Sequence, residues 1–198
     1  MFPQVGTEVS PTGVAPAGSG SDDTVLAARA RQGGLDAFEE LSRRHYRALY
    51  RVALRMLDDT RDAEDATQEA FERAWLALPA FEGRAAFRTW IYRILTNVCL
   101  KNRQRRRHVL LSLDEARDAP DTPQDEPEAI VERADRDRAL RRAIAALPPE
   151  QRSPLVLREY AGCSYQEIAQ ILGITMPAVR GRLHRARVEL MEAMRPWV

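Results

Sequence analysis

From residue 22 onward, the apolar positions of the chain recur at intervals of three and four, and they do not alternate over strand length. The pattern predicts an all-α fold. A short helix can start at Asp22 and Asp23 and run to about Arg31, where Gly33 and Gly34 end it. Asp36 can open the next helix, with Phe38, Leu41, Leu49, Val52 and Met56 at helical spacing. Asp58, Asp59 and Thr60 break that run and cap a helix from about Arg61 to Leu78, which Pro79 stops. A loop at Phe81–Arg84 precedes a long helix from about Ala85 to Arg107. Helical order returns near Ala129–Leu147. Pro148 and Pro149 separate it from a helix reaching Tyr160, with Gly162 placed as a C-terminal cap, and two further helices close the chain.

Two stretches lose the pattern. Residues 1–21 are rich in Gly, Pro, Ser, Thr and Val, carry almost no charge and are expected to be a disordered tail. Residues 108–137 are proline-broken and are expected to form a flexible acidic linker. The expected organisation is therefore two small helical domains, 22–107 and 138–198, joined by that linker; 198 residues suffice for both. Some thirty linker residues could extend to roughly 100 Å, so the domains could sit well apart.

Charge changes the picture. The formal net charge of +1 hides segregation. Residues 35–107 carry fifteen basic and eleven acidic side chains, residues 108–137 three and ten, and residues 138–198 ten and five. Two basic blocks flank an acidic one, and basic blocks suit a polyanionic partner. Cys99 and Cys163 form no C-x-x-C pair, and His45, His108 and His184 lack metal-ligand spacing, so no metal or other cofactor is expected. There is no apolar run near the ~20 residues that span a bilayer and no basic, apolar leader at the N-terminus, so a reduced, cytoplasmic chain without membrane insertion is expected. Walker loop, paired carboxylates and nucleophile elbow are all missing, which argues against an enzyme.

The sharpest local signal is Ser164-Tyr-Gln-Glu167, a capping box. Ile168, Ala169, Ile171 and Leu172 give the helix an apolar face, Gly173 supplies a turn, and Thr175 can cap the next helix with Pro177 in its first turn. This is a helix-turn-helix. Projected at 100° per residue, the second helix buries Val179, Leu183, Ala186 and Leu190. It turns Gly181, His184 and Arg185 outward, flanked by Arg180, Arg182 and Arg187. Guanidinium groups pair with phosphates or with the guanine edge in the major groove, and a glycine allows the helix close to DNA.

In the N-terminal block, the helix after Arg61 sets Ala63, Ala66, Ala70, Ala74 and Leu78 on one side and Asp65, Gln68, Glu69 and Glu72 on the other. The alanines allow close packing, and the acidic face could dock a basic helix. The helix after Ala85 buries Phe87, Ile91, Ile94 and Val98, while Trp90, Arg93, Asn97 and Lys101 line a second stripe. Arg88 and Tyr92 are expected elsewhere on its exposed surface. The helix ends in a basic run through Arg103 to Arg107. Aromatics among cations suit single-stranded DNA, whose bases stack on rings while cations follow the phosphates; a purely packing role for Trp90 is the alternative.

These pieces, in this order, resemble the ECF (extracytoplasmic function) sigma factors of bacterial RNA polymerase, over about residues 24–107 and 130–193. Phe38–Leu57 looks like their first conserved helix. Residues 62–75, Asp-Ala-Glu-Asp-Ala-Thr-Gln-Glu-Ala-Phe-Glu-Arg-Ala-Trp, resemble the segment that binds the polymerase beta-prime clamp helices, which implies core contacts by Asp62, Asp65, Gln68, Glu69, Phe71, Glu72 and Trp75. Phe81–Ile94 looks like the promoter-melting segment, and Asn97 falls where the family often has an asparagine beside the minus-ten base pocket. The resemblance implies minus-ten contacts by Arg88, Trp90, Tyr92, Arg93, Asn97, Lys101 and Arg103. Leu147–Arg152 and Gly162–Arg187 resemble the domain that reads the minus-thirty-five element, which implies contacts by Arg180, Gly181, Arg182, His184, Arg185 and Arg187. Implied partners are core polymerase, through the clamp helices and the beta flap, promoter DNA and an anti-sigma factor. In the family the linker threads through polymerase channels; here its acidic run would either mimic nucleic acid there or act only as a solubilising tether.

Three departures matter. Glu82 stands where the family loop often has Arg, Thr175-Met-Pro-Ala-Val179 replaces a common Pro-x-Gly-Thr-Val start, and Gly181 replaces a serine that contacts DNA in relatives. An alternative is a LuxR-type regulator, which carries a similar C-terminal helix-turn-helix. It calls for a receiver or ligand-binding domain, and 24–107 shows neither pattern. A helical adaptor that binds only protein would leave the outward Arg and His residues unexplained.

Overall fold

The computed structural model describes residues 19–112 and 128–197. The described residues are all helical apart from turns and short connections. They comprise α1 (Ser19–Arg31), α2 (Leu35–Leu57), α3 (Thr60–Ala77), a 3-10 turn (Leu78–Ala80), α4 (Phe87–Ser112), α5 (Glu128–Ala146), α6 (Pro149–Glu159), α7 (Tyr165–Leu172), α8 (Met176–Ala193) and a last 3-10 turn (Arg195–Trp197). The expected tail lies outside the described residues up to 18. So does most of the acidic segment, at 113–127, between the ends of α4 and α5.

In the first half, α1, α3 and α4 pack around α2. Ala63, Ala66, Ala70 and Ala74 on α3 are fully buried, so the α3 backbone sits close against its neighbours. Thr67 completes that face by donating its hydroxyl to the Ala63 carbonyl at 2.7 Å. Phe38, Leu41, Leu49, Val52 and Met56 are buried as their spacing predicts. Asp59 caps α3 by accepting from the Asp62 N–H at 2.9 Å.

The N-terminal caps differ from expectation. α1 starts before Asp22, and Asp23 is not a cap: it is buried and holds His45 Nε2 at 2.7 Å. His45 fills the α2 core position between Leu41 and Leu49, where an imidazole is tolerated because a carboxylate from α1 meets it. Gly34, not Asp36, is the N-cap of α2, and Asp36 pairs with Arg29 at 2.5 Å.

In the second half, α6 and α7 pack against α8. Gly162, at φ 64°, lets the chain turn so that the Cys163 N–H returns to the Leu157 carbonyl at 3.0 Å. The Ser164–Glu167 capping box forms in both directions (3.2 and 2.7 Å). Gly173, also at φ 64°, ends α7, with the Ile174 N–H bonded to the Ala169 carbonyl.

The halves are not separate. α4 packs on α7, and α2 packs on α5 and α6. A linker of that length permits separated units as well as this contact. The side chains that make the contact come from far apart in sequence and follow no local periodicity.

Candidate polymerase and promoter interfaces

An open groove runs between α2 and α3. Leu35, Phe38, Ser42 and Tyr46 line it from α2, and Glu64, Gln68, Phe71, Glu72 and Trp75 line it from α3. Its floor is a set of touching rings. Phe38 lies 5.0 Å from Trp75 and 6.4 Å from Phe71, and Tyr46 lies nearly parallel to Phe71 at 6.4 Å. Leu35 and Tyr46, 56% and 46% exposed, add apolar surface along the same groove. The rim is acidic: Glu64 and Glu72 face solvent, Gln68 donates to Glu72 at 3.2 Å, and Asp65 is exposed on α3 outside the groove lining. Of the other expected core-binding residues, Glu69 is held by Arg73 at 2.5 Å, and Asp62 is bonded by Arg106. The α2 side of the groove escaped the sequence reading, although Leu35, Phe38, Ser42 and Tyr46 follow one helical face.

On α4, Arg93, Asn97 and Lys101 are exposed. Trp90 is half-buried, its ring 4.7 Å from Phe81 and 5.7 Å from Phe87, so it packs on the loop and on the start of α4. Two expectations for α4 are corrected. Tyr92 is 1% exposed rather than on the surface, because α7 covers that side of α4. Arg88 is half-buried beneath the α6–α7 turn. It donates to the Ala161 carbonyl, meets Glu167 at 3.4 Å, and lies 5.3 Å over the Tyr92 ring. In the apolar stripe, Leu95 is fully buried and Ile94 only half so. Arg103 is half-buried beside a small cleft formed with Met56, Cys99 and Arg152. Glu82 pairs with Arg84 across the exposed loop.

In the helix-turn-helix, Thr175 caps α8 by accepting from the Ala178 N–H at 3.4 Å. Val179, Leu183 and Ala186 are buried, and Arg180, His184 and Arg185 are exposed on the other side. Arg182 is half-buried. Gly181 has open space around it: an added Cβ would meet only the Arg185 guanidinium, at 3.6 Å. Arg187 is exposed but engaged by Glu159 of α6 at 3.0 Å; bonds to Glu159 and Tyr165 raise its pKa above the usual arginine range. Among the described residues, no group of three or more His, Cys, Asp and Glu is placed to hold a metal ion, and no helix is long and apolar enough to cross a membrane.

Comparison with known proteins agrees with this arrangement. The model of sigma-70 region 2 matches residues 41–109, and that of sigma-70 region 4 matches residues 137–190. The chain is 33% identical to the ECF RNA polymerase sigma factor SigE of Mycolicibacterium smegmatis, over 90% of this chain and 70% of the relative. It is 31% identical to the RNA polymerase sigma-H factor of Pseudomonas aeruginosa, over 88% of this chain and 94% of the relative. Among solved structures, CnrH in complex with the cytosolic domain of CnrY matches with a TM-score of 0.65 at 29% identity, covering 88% of this chain and 97% of that one. The sigma factor RpoE of Bartonella quintana, in complex with the anti-sigma factor NepR, has the same fold (TM-score 0.66, 22% identity, 81% of this chain and 98% of that one). The region 2 match over α2–α4 removes the LuxR-type alternative, and a non-enzymatic role follows from the family. The chain belongs to the ECF RNA polymerase sigma factors, with sigma-70 region 2 in its first helical unit and region 4 in its second, and it acts in transcription initiation.

Proposed function

We propose that this sigma factor directs core polymerase, in the cytoplasm, to a restricted, stress-responsive set of promoters, and that its activity is held by an anti-sigma factor. In this reading the α2–α3 groove takes the beta-prime clamp helices, the second unit meets the beta flap, and α8 reads the minus-thirty-five element through Arg180, Arg182, His184 and Arg185. Trp90, Arg93, Asn97 and Lys101 hold the opened minus-ten strand, with Arg88 and Tyr92 joining once uncovered.

The observation that carries the reading is the groove: an aromatic floor with an acidic rim suits an amphipathic helix whose polar face is basic. Replacing Glu64 and Glu72 with Arg reverses the rim while leaving the aromatic floor. The variant should stay helical and lose co-purification with core polymerase and promoter-specific transcripts. Undiminished association would overturn the docking assignment.

A further inference from the structure

Arg152 sits in the first turn of α6 and is only 3% exposed, so its charge is held almost wholly out of water. Nη1 donates to the Met56 carbonyl of α2 at 3.0 Å, and Nη2 donates to the Leu147 carbonyl after α5 at 3.4 Å. Both acceptors are neutral. Nε has no hydrogen-bond partner among the described residues. A buried guanidinium that meets no anion is costly.

Arg152 lines a cleft of about 10 Å³ with Met56 of α2, Cys99, Leu100 and Arg103 of α4, and Pro149 and Ser153 of α6. None of these residues brings a negative charge. Met56, Leu100 and Pro149 are apolar. Burial pushes the Cys99 thiol up to about 12, so it stays protonated. Ser153 spends its hydroxyl on the Pro149 carbonyl at 2.9 Å. The two charged members, Arg103 and Arg152, have the same sign. Burial first, and Arg103 second, pull Arg152 down to about 10; Asp58, at the C-terminal cap of α2, opposes them more weakly. Pro149, Arg152 and Ser153 also belong to the start of α6, where the helix dipole is positive. The Gln151 and Arg152 N–H groups both turn back to the Pro148 carbonyl at 2.9 Å, so the helix end contributes its field rather than those donors.

We propose that this cleft binds one small monatomic anion, chloride, held by the Arg103 and Arg152 guanidinium groups at the start of α6. The volume decides the class of ion. About 10 Å³ is room for a single sphere near the size of a water molecule. Chloride is only slightly larger than that, whereas the four oxygens of phosphate or sulfate need far more. A water could accept from Nε, yet it would leave two like charges close together where the dielectric is low. An anion beside both replaces that repulsion with two attractions. The bound ion joins α2, α4 and α6 at one point, apart from the α2–α3 groove and from the exposed Arg93, Asn97 and Lys101.

The test uses the free full-length chain, with chloride itself as the probe. Thermal melts in sodium chloride are compared with melts in sodium gluconate at equal ionic strength, so that general screening cancels. Chlorine NMR line broadening reports the bound ion directly. Arg103→Gln takes one charge from the cleft, and Arg105→Gln takes one from the exposed surface of the same helix. With the site near saturation, wild type should melt about 3 °C or more higher in chloride than in gluconate. Arg105→Gln should keep that difference and the broadening. Arg103→Gln should lose most of both while remaining helical by circular dichroism. Should Arg103→Gln fold poorly, Arg152→Met makes the same comparison, since an apolar side chain often replaces a buried charge without loss of the fold. Equal melting in the two salts, with no excess broadening in wild type, would make the cleft a water site and overturn the proposal. A chloride effect that survives unchanged in a folded Arg103→Gln or Arg152→Met variant would place the ion elsewhere on the arginine-rich surface and overturn it too. Phosphate added at equal ionic strength should leave the chlorine broadening in place; displacement by phosphate would overturn the assignment to a monatomic ion.

Discussion

Arg187 Nη2 sits 3.0 Å from Glu159 Oε1, tying the middle of the recognition helix back to α6. Arg185, two residues earlier, is exposed on the opposite side of α8. The pair divides the basic residues of α8 into those that hold region 4 together and those that face outward. Arg185→Ala should weaken binding to a minus-thirty-five duplex and leave the melting temperature nearly unchanged. Arg187→Ala removes a half-exposed ion pair and should cost up to about 1 kcal/mol of stability, with a smaller effect on DNA. Fluorescence anisotropy with thermal melts separates the two; the reverse pattern would reassign Arg187 to the DNA face.

Gly181 lies inside α8, where glycine destabilises a helix by roughly 0.5–1 kcal/mol relative to alanine. An added Cβ meets nothing closer than the Arg185 guanidinium. Gly181→Ala should therefore raise the melting temperature of the free protein. If the bare backbone serves close approach to DNA, the same variant should bind the minus-thirty-five duplex more weakly. A variant that is both more stable and equally tight would show that the glycine has no role at the DNA.

Trp90 packs against Phe81 and Phe87 yet is only half-buried. Trp90→Ala should cost less than the roughly 3–5 kcal/mol typical of a fully buried ring and leave region 2 folded. Holoenzyme carrying it should lose more transcription from duplex promoters than from pre-melted templates. Equal loss on both would leave the ring a packing role only.

The Asp59 carboxyl is held below its ordinary value of 3.8 by the Asp62 N–H first and by Arg106 as well. A carboxylate whose folded pKa is depressed contributes stability that is fully present above the unfolded value and is lost as pH falls through the folded one. Asp59→Ala should cost about 0.5–2 kcal/mol near neutral pH, and the gap from wild type should narrow in acid below that value. A gap that persists undiminished at pH 2 in urea melts would show that the charged cap is not its source.

The helices of α2, α3, α7 and α8 were legible in the sequence because local physics specifies them. The alanine row of α3, the Ser164–Glu167 box and the Gly173 turn each act within a few residues. The outward placement of Arg180, His184 and Arg185 follows equally from helical periodicity. Other positions depended on partners distant in sequence. His45 lies in the core because Asp23 of α1 meets it there, and α2 lines the groove because α3 sets Phe71 and Trp75 beside Phe38 and Tyr46. Tyr92 reads as an exposed position on α4 until α7 covers it, and Arg88 meets an acceptor 73 residues away. Periodicity reports which face of a helix is apolar. Which body covers a polar or aromatic face is decided only when elements far apart in the chain pack together, and the mask over Arg88 and Tyr92 is a contact of that kind.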